Sequence, residues 1–369
     1  MSGSRLPACA VLLAGGRGTR FWPRSRMRTP KQLLNIAGRH TMLRETVARL
    51  EPLFQRGNFW AVTNVEQAAA VRSEMRGVAA TQILAEPVGR NTAAAIGLAA
   101  IHLAHKHGDA LMAVLPSDSY IAKAPRYRTL VRAALDLARA PGNLVVLGIP
   151  PTRPETGYGY IERGDISARP RGIPAFAVRR FTEKPQLAEA NQYLASKRYL
   201  WNAGMFFWRA STFLAALKRF LPATHAALSE LSRHIGTAQY RSRLKRIYAG
   251  LENISVDYAV MEPATRIQGT PRVSVIPANV GWSDIGSWAA VYELLATKPG
   301  ANVSSGPFHA LDASGNYFSS PGKFVAAIGV HDLVLVETDD AVLICSRERS
   351  QDVGKIVKWL EEHRRKDLL

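Results

Sequence analysis

Six consecutive apolar residues, Ala8 to Leu13, open the patterned part of the chain and read as a buried parallel strand. Further apolar strands are expected at 8–14, 58–63, 82–85, 110–115 and 144–149, with helical stretches between them near 41–50, 65–76, 91–107 and 126–140. This alternation predicts a mainly parallel sheet covered by helices on both faces, with the ligand beyond the carboxyl ends of the strands. Residues 151–290 break the alternation. Strands are expected at 157–161 and 175–181, a helix near 186–197, a strand through 201–207, a cation-rich helical stretch over 210–250 and a strand at 273–276. A linker is expected at 297–307, dividing a first domain, 1–296, from a small β domain with a terminal helix, 308–369.

Composition adds bounds. The chain of 369 residues carries 48 Lys+Arg against 29 Asp+Glu, a formal charge of +19. The cations crowd at 20–31 and 239–246 without a nucleic-acid motif, so the expected partners are anionic small molecules and not a specific nucleic acid. No apolar stretch reaches membrane-span length and residues 1–7 lack a signal-peptide core, which makes the cytoplasm the default location. Two cysteines, Cys9 and Cys345, make neither a disulfide framework nor a metal site.

The densest chemistry lies directly after the first strand: Ala14, Gly15, Gly16, Arg17, Gly18, Thr19, Arg20, then Arg24, Arg26, Arg28 and Lys31. Glycines let backbone N–H groups approach a polyphosphate, and the cations that follow suit its charge. A P-loop is excluded because no Lys-Ser or Lys-Thr follows the glycines, and the dinucleotide fingerprint fails at Phe21.

A polyphosphate held at such a loop is bound together with a divalent cation, and Mg²⁺ prefers one or two carboxylates. Asp118 at the end of an apolar strand and Asp284 at an expected helix start are the candidate ligands, for Mg²⁺ or Mn²⁺. In Phe181-Thr182-Glu183-Lys184-Pro185, Lys184 can hold a sugar phosphate and Glu183 can accept from sugar hydroxyls. The proline biases Lys184 toward extended backbone. Asn202 and Gly204 can place an amide and bare backbone against a sugar ring, while Trp201, Phe206 and Phe207 are assigned to the core. The helix-end histidines His102, His105 and His107 read as structural.

The order Gly-Gly-x-Gly-Thr-Arg, Pro-Lys-Gln, Glu86-Pro-Val-Gly-Arg-Asn-Thr92, Leu-Pro-Ser117-Asp118, Phe-Thr-Glu-Lys-Pro, Trp-Asn-Ala-Gly and Trp-Ser-Asp284 resembles the mannose-1-phosphate guanylyltransferases among the sugar-nucleotide pyrophosphorylases. The resemblance runs from about residue 8 to 290. It implies a Rossmann-like, GT-A-like α/β nucleotidyltransferase domain followed by a left-handed β-helix-like domain, and a homodimer. It implies transfer of GMP from GTP to mannose 1-phosphate.

The triphosphate falls to Ala14, Gly15, Gly16, Gly18, Thr19 and Arg20, and the departing pyrophosphate to Arg20 and Lys31. Glu86, Arg90, Asn91, Thr92 and Ser117 complete the nucleotide site, Asp118 and Asp284 hold the metal, and Lys184 takes the sugar phosphate. Gly157, Tyr158, Glu183, Asn202 and Gly204 lie at the sugar. One departure is Ser119, where many relatives have His. Longer relatives carry an isomerase domain beyond the point where this chain ends, so guanylyltransferase activity alone is expected. Another sugar 1-phosphate or nucleotide, or a weakly catalytic regulator that binds sugar nucleotide, stays open as an alternative.

Overall fold

Ala8–Leu13 forms β1, inside a nine-stranded sheet in the computed structural model, which describes residues 6–36, 38–267 and 269–369. The expectation for residues 1–7 therefore rests largely on positions outside these. Around β1 the chain alternates: α1 (Met42–Leu50), β2 (Phe59–Asn64), α2 (Ala68–Glu74), β3 (Ile83–Glu86), α3 (Asn91–His107) and β4 (Leu111–Pro116). A short β5 (Tyr120–Ile121), α4 (Ala124–Ala138) and β6 (Asn143–Ile149) complete the first half.

The second half adds the hairpin of β7 (Gly159–Ala168) and β8 (Ala175–Glu183), then α5 (Leu187–Ser196) and β9 (Tyr199–Arg209). Three helices, α6 (Ala210–Phe220), α7 (Pro222–Ser232) and α8 (Tyr240–Ala249), divide the expected helical stretch. A π-helical turn at Asp257–Met261 runs into α9 (Glu262–Thr265), followed by β10 (Arg272–Pro277), β11 (Trp282–Ser283) and α10 (Trp288–Leu295).

The sheet order is β3-β2-β1-β4-β9-β6-β10-β8-β7. β1 is parallel to β2 and β4, β2 to β3, and β6 to β10, whereas β9 enters antiparallel between β4 and β6. The sheet is thus mixed and mostly parallel. Alternate residues of β1 feed opposite cores: Cys9 and Val11 pack with α3 and α6, Ala10 and Leu12 with α1 and α4. Burial on both faces explains the unbroken apolar run. No helix among the described residues is long and apolar enough to cross a membrane.

The C-terminal part contains β12 (Val303–Ser304), β13 (Phe308–Leu311), β14 (Tyr317–Ser319), β15 (Val325–Ile328), β16 (Leu333–Glu337), β17 (Val342–Ser346) and α11 (Val353–Glu362). β12, β14 and β16 pair in parallel on one face, and β13 with β15 on another. A parallel bridge between Ser314 and His331 marks a third, giving a β-helix-like coil. Buried Asn316 ties successive turns: its amide donates to Asn302 Oδ1 at 2.9 Å and its own Oδ1 accepts from Leu333 N at 2.9 Å. β12 falls within the stretch expected to be linker, because Val303 and Ser304 already pair with Tyr317 and Phe318.

A third core joins this coil to the first domain. Phe21 and Trp22 after the glycine loop pack with Ile285 and Trp288, with Tyr317 and Val334 of the coil, and with Val353 and Val357 of α11. Trp288 donates its indole N–H to Trp22 O at 3.1 Å and stacks on Tyr317. Full burial of each such aromatic contributes about 2 kcal/mol, enough to fix the coil against the loop.

Candidate active site

The glycine loop leaves β1 with its backbone held from below. Ala14 O accepts from buried Gln32 Nε2 and from Thr63 Oγ1, each at 2.8 Å. Gly18 has φ +62°, and a Cβ there would lie 2.9 Å from Lys31 N. Only glycine permits this packing, which sets Lys31 under the loop. Lys31 is buried, and its ammonium donates to Asp118 Oδ2 at 2.9 Å and to the Asp284 carbonyl at 2.5 Å. One cation therefore joins the end of β4 to the segment after β11. Asp284 Oδ1 accepts from the Tyr158 hydroxyl at 2.5 Å.

Asp284 does not start a helix. α10 begins at Trp288, and Ser287 supplies the cap by accepting from Ala290 N at 3.5 Å. The carboxylate is thereby left free of helix capping. Asp118 presents its carboxylate beside Lys31 and Asp284 presents its own beside Tyr158, and both are hard oxygen donors of the kind a divalent cation takes. Among the described residues no cluster of three or more His, Cys, Asp or Glu could cage a metal. The donor set fits an ion that takes its remaining ligands from phosphate and water.

A cavity of 380 Å³ opens beside this cluster. Its walls include Gly15, Gly16, Glu86, Asn91, Thr92, Ser117, Asp118 and Gly204, all expected at the site, together with Gln32, Gly89 and Asp257, which were not. Thr92 Oγ1 accepts from Val256 N at 2.8 Å, and Ser117 Oγ donates to Leu13 O at 2.7 Å, so both hydroxyls shape the walls. The Arg90 side chain goes elsewhere, donating to the Ala249 carbonyl. Glu86 is buried and accepts from Tyr248 OH at 2.6 Å. Burial pushes its carboxyl up to about 7, with the Tyr248 bond and the Arg90 backbone opposing.

The residues expected at the sugar gather around Asp257. Glu183 Oε2 is buried with no hydrogen-bond partner in the structure. Burial, and then the negative charge of Asp257, push this carboxyl up to about 7. Asn202 donates to Asp257 Oδ1 at 2.8 Å and accepts from Gly204 N at 3.0 Å. Gly204, at φ +65°, lines the cavity with bare backbone.

Gly157 is exposed, and its N–H donates to Glu155 Oε1 at 3.1 Å. The glycine that abuts Glu183 and Asn202 is Gly159, where any Cβ would collide with Glu183 Oε2. Lys184 is not extended, as its proline neighbour suggested, but has φ +49°. The strand ends at Glu183, and Lys184 N turns to Tyr158 O at 3.2 Å. Its exposed ammonium stands 3.8 Å from Glu183 Oε1.

Arg17 and Arg20 of the loop reach the C-terminal part. Arg20 donates to Gln351 Oε1 at 2.5 Å and Arg17 pairs with Glu361 at 2.6 Å. Thr19 lies beside Gly354 at the start of α11. Outside the site, half-buried His102 packs against Tyr240 OH at 2.6 Å and is pushed down to about 4 by desolvation, a structural setting.

Sequence reasoning missed Gln32, Gly159, Asp257, Tyr248 and Gln351. Gln32 lies within the quoted Pro-Lys-Gln motif and Gly159 within the strand expected at 157–161, without being assigned to the site. Asp257, Tyr248 and Gln351 carry no local signal, because only chain topology brings them in.

Comparison with known proteins agrees with this geometry. The Nucleotidyl transferase family model matches residues 9–298, and the MannoseP isomerase/GMP-like beta-helix domain matches 309–360. The chain is 40% identical over 358 residues to a mannose-1-phosphate guanylyltransferase of Escherichia coli, covering 96% of this chain and 74% of the relative. It is 40% identical to another from Klebsiella pneumoniae, covering 97% and 74%. A Thermus thermophilus crystal structure described as a mannose-1-phosphate geranyltransferase superposes with TM-score 0.85 at 35% identity, covering 96% of this chain and 100% of that one. With the two family domains in order along the chain and 40% identity over nearly its whole length, the chain belongs to the nucleotidyl transferase family and, within it, to the mannose-1-phosphate guanylyltransferases.

Proposed function

We propose that the protein transfers GMP from GTP to α-D-mannose 1-phosphate, giving GDP-mannose and pyrophosphate. The observation that carries this reading is Lys31 bridging the Asp118 carboxylate and the Asp284 carbonyl under the glycine loop, beside the cavity walled by Gly15, Glu86, Ser117 and Asp118. The sugar phosphate has a second pKa of about 6, so its oxygen is already anionic at neutral pH and needs no strong base. That oxygen attacks the α-phosphorus, the bond to the bridging oxygen breaks, and the electron pair leaves with pyrophosphate. Catalysis is then positioning and charge neutralisation.

In this reading the loop from Ala14 to Arg20 cradles the triphosphate, and Lys31 and Arg20 meet the departing pyrophosphate. Lys184 holds the sugar phosphate, with Glu183, Asn202 and Gly159 at the sugar hydroxyls. Asp118 and Asp284 would hold Mg²⁺ or Mn²⁺, which supplies charge stabilisation at the phosphates when bound. Arg90 serves the guanosine site by fixing backbone at Ala249 and not by touching the base.

A homodimer is part of the proposal. Leu311, Phe324, Ile328 and Ile344 of the coil are all more than half exposed, an apolar surface that a second copy would cover. The cytoplasm is the proposed location, where both substrates are made available. Light scattering tests the dimer. Pyrophosphate release with mannose 1-phosphate and GTP, ATP, UTP or dTTP in parallel tests the reaction. A rate dominated by GTP is expected, and release with another nucleotide alone would overturn the guanine assignment.

A further inference from the structure

Tyr248 belongs to the cation-rich helix α8, far from every motif that marks the site, yet it is fully buried and its hydroxyl ends on Glu86. We infer that Tyr248 is a positioning residue for base recognition: it locks the Glu86 carboxylate in the one orientation that offers its second oxygen to a guanine edge. This inference rests on the guanosine reading proposed above.

Glu86 is the last residue of β3 and sits in the cavity wall, with Oε1 taken by Tyr248 at 2.6 Å. Oε2 faces the glycine loop, 3.3 Å from where a Cβ on Gly15 would lie. No lysine or arginine among the described residues forms an ion pair with this carboxylate. A buried carboxylate without a countercharge is costly unless other donors meet it. Burial also keeps the proton on Tyr248, so its hydroxyl can donate to Oε1 and cannot be replaced by a phenolate.

A carboxylate is acceptor-only when ionised. Among the common bases, guanine presents two adjacent donors, N1–H and the 2-amino group, on one edge. Adenine, uracil, thymine and cytosine each place an acceptor beside a single donor group there. With Oε1 fixed from behind, Glu86 cannot rotate to hide Oε2. An amide in its place would have its orientation set by the same hydroxyl: oxygen toward Tyr248 and NH₂ toward the base, where it opposes both guanine donors.

The test compares kcat/KM for GTP and for inosine triphosphate, which lacks only the 2-amino group, using the full chain with Mg²⁺ and mannose 1-phosphate. Tyr248→Phe keeps the ring and its packing. It should cut the preference for GTP about tenfold, with the loss falling on the KM for GTP more than on kcat and the KM for mannose 1-phosphate little changed. Glu86→Gln should lose the preference, and the double variant should regain part of it because the freed amide can turn. An unchanged GTP-to-inosine ratio in Tyr248→Phe, or in Glu86→Gln, overturns the positioning role. Glu86→Ala separates the two levels. Should Glu86→Ala leave the ratio intact, the base reading itself fails; should it abolish the ratio while Tyr248→Phe does not, only Tyr248 is wrongly assigned. If Tyr248→Phe does not fold, Glu86→Gln with and without retained preference still decides the question.

Discussion

The Lys31 ammonium lies 2.9 Å from Asp118 Oδ2 and also reaches the Asp284 carbonyl, so one buried cation after the glycine loop joins the Asp118 carboxylate to the backbone of the segment that carries Asp284. Removing a carboxylate there strips charge from the site while leaving the apolar frame untouched. Asp118→Asn and Asp284→Asn should each lower kcat by about 10²- to 10³-fold with unaltered melting curves. Near wild-type turnover in either variant would remove the two-carboxylate metal site.

Two oxygen ligands from the protein hold a divalent ion weakly without phosphate. Chelation should therefore abolish pyrophosphate release, and added Mg²⁺ should restore it in full. Metal affinity measured by calorimetry should rise when GTP is present. Full activity in excess chelator would contradict the proposed chemistry.

Lys184 is exposed and 3.8 Å from Glu183, away from the cavity wall formed by the nucleotide residues. Lys184→Ala should raise the KM for mannose 1-phosphate at least about tenfold and leave the KM for GTP near its original value. A rise confined to GTP would assign this cation to the wrong phosphate.

Glu86 and Glu183 both have carboxyls raised from 4.5 to about 7, chiefly by burial. The folded protein thus holds more protons than the unfolded chain between these values, and stability falls as pH rises through the window. The melting temperature should drop from pH 5 to pH 8, and Glu86→Gln should flatten that slope. Recognition has the opposite sense: guanine needs ionised Glu86, so the KM for GTP should rise as pH falls below about 7. A slope that Glu86→Gln leaves unchanged would show that another group dominates.

Arg20 is exposed and donates to Gln351 of the C-terminal part, and among the described residues no side chain of its own domain hydrogen-bonds it. Gln351→Ala should release the guanidinium and lower kcat/KM for GTP about three- to tenfold, with little effect on the sugar-phosphate KM. An unchanged value would mean that Arg20 is positioned by substrate alone.

The nucleotide half of the site was legible because its parts are local. A buried strand must end in a loop, and glycines with cations in that loop have few uses other than phosphate. Asp118 follows from the same logic at the end of β4, since parallel strands deliver their carboxyl ends to one crevice. The setting of Asp284 differs from the expected helix start, because Ser287 and not Asp284 caps the following helix. Gly157 was chosen where Gly159 abuts the sugar residues, because a Gly-Tyr-Gly run does not reveal which glycine faces inward until its strand register is known.

By itself, the sequence determined the alternating strand and helix framework, the phosphate loop and the residue types available for metal and sugar, since periodicity and side-chain chemistry are local properties. Only the tertiary structure decided that Tyr248 backs Glu86, that Asp257 meets Asn202, and that a C-terminal coil reaches Arg17 and Arg20. Those partners lie far apart along the chain and are joined by packing of three cores, so no spacing in the sequence could have announced them.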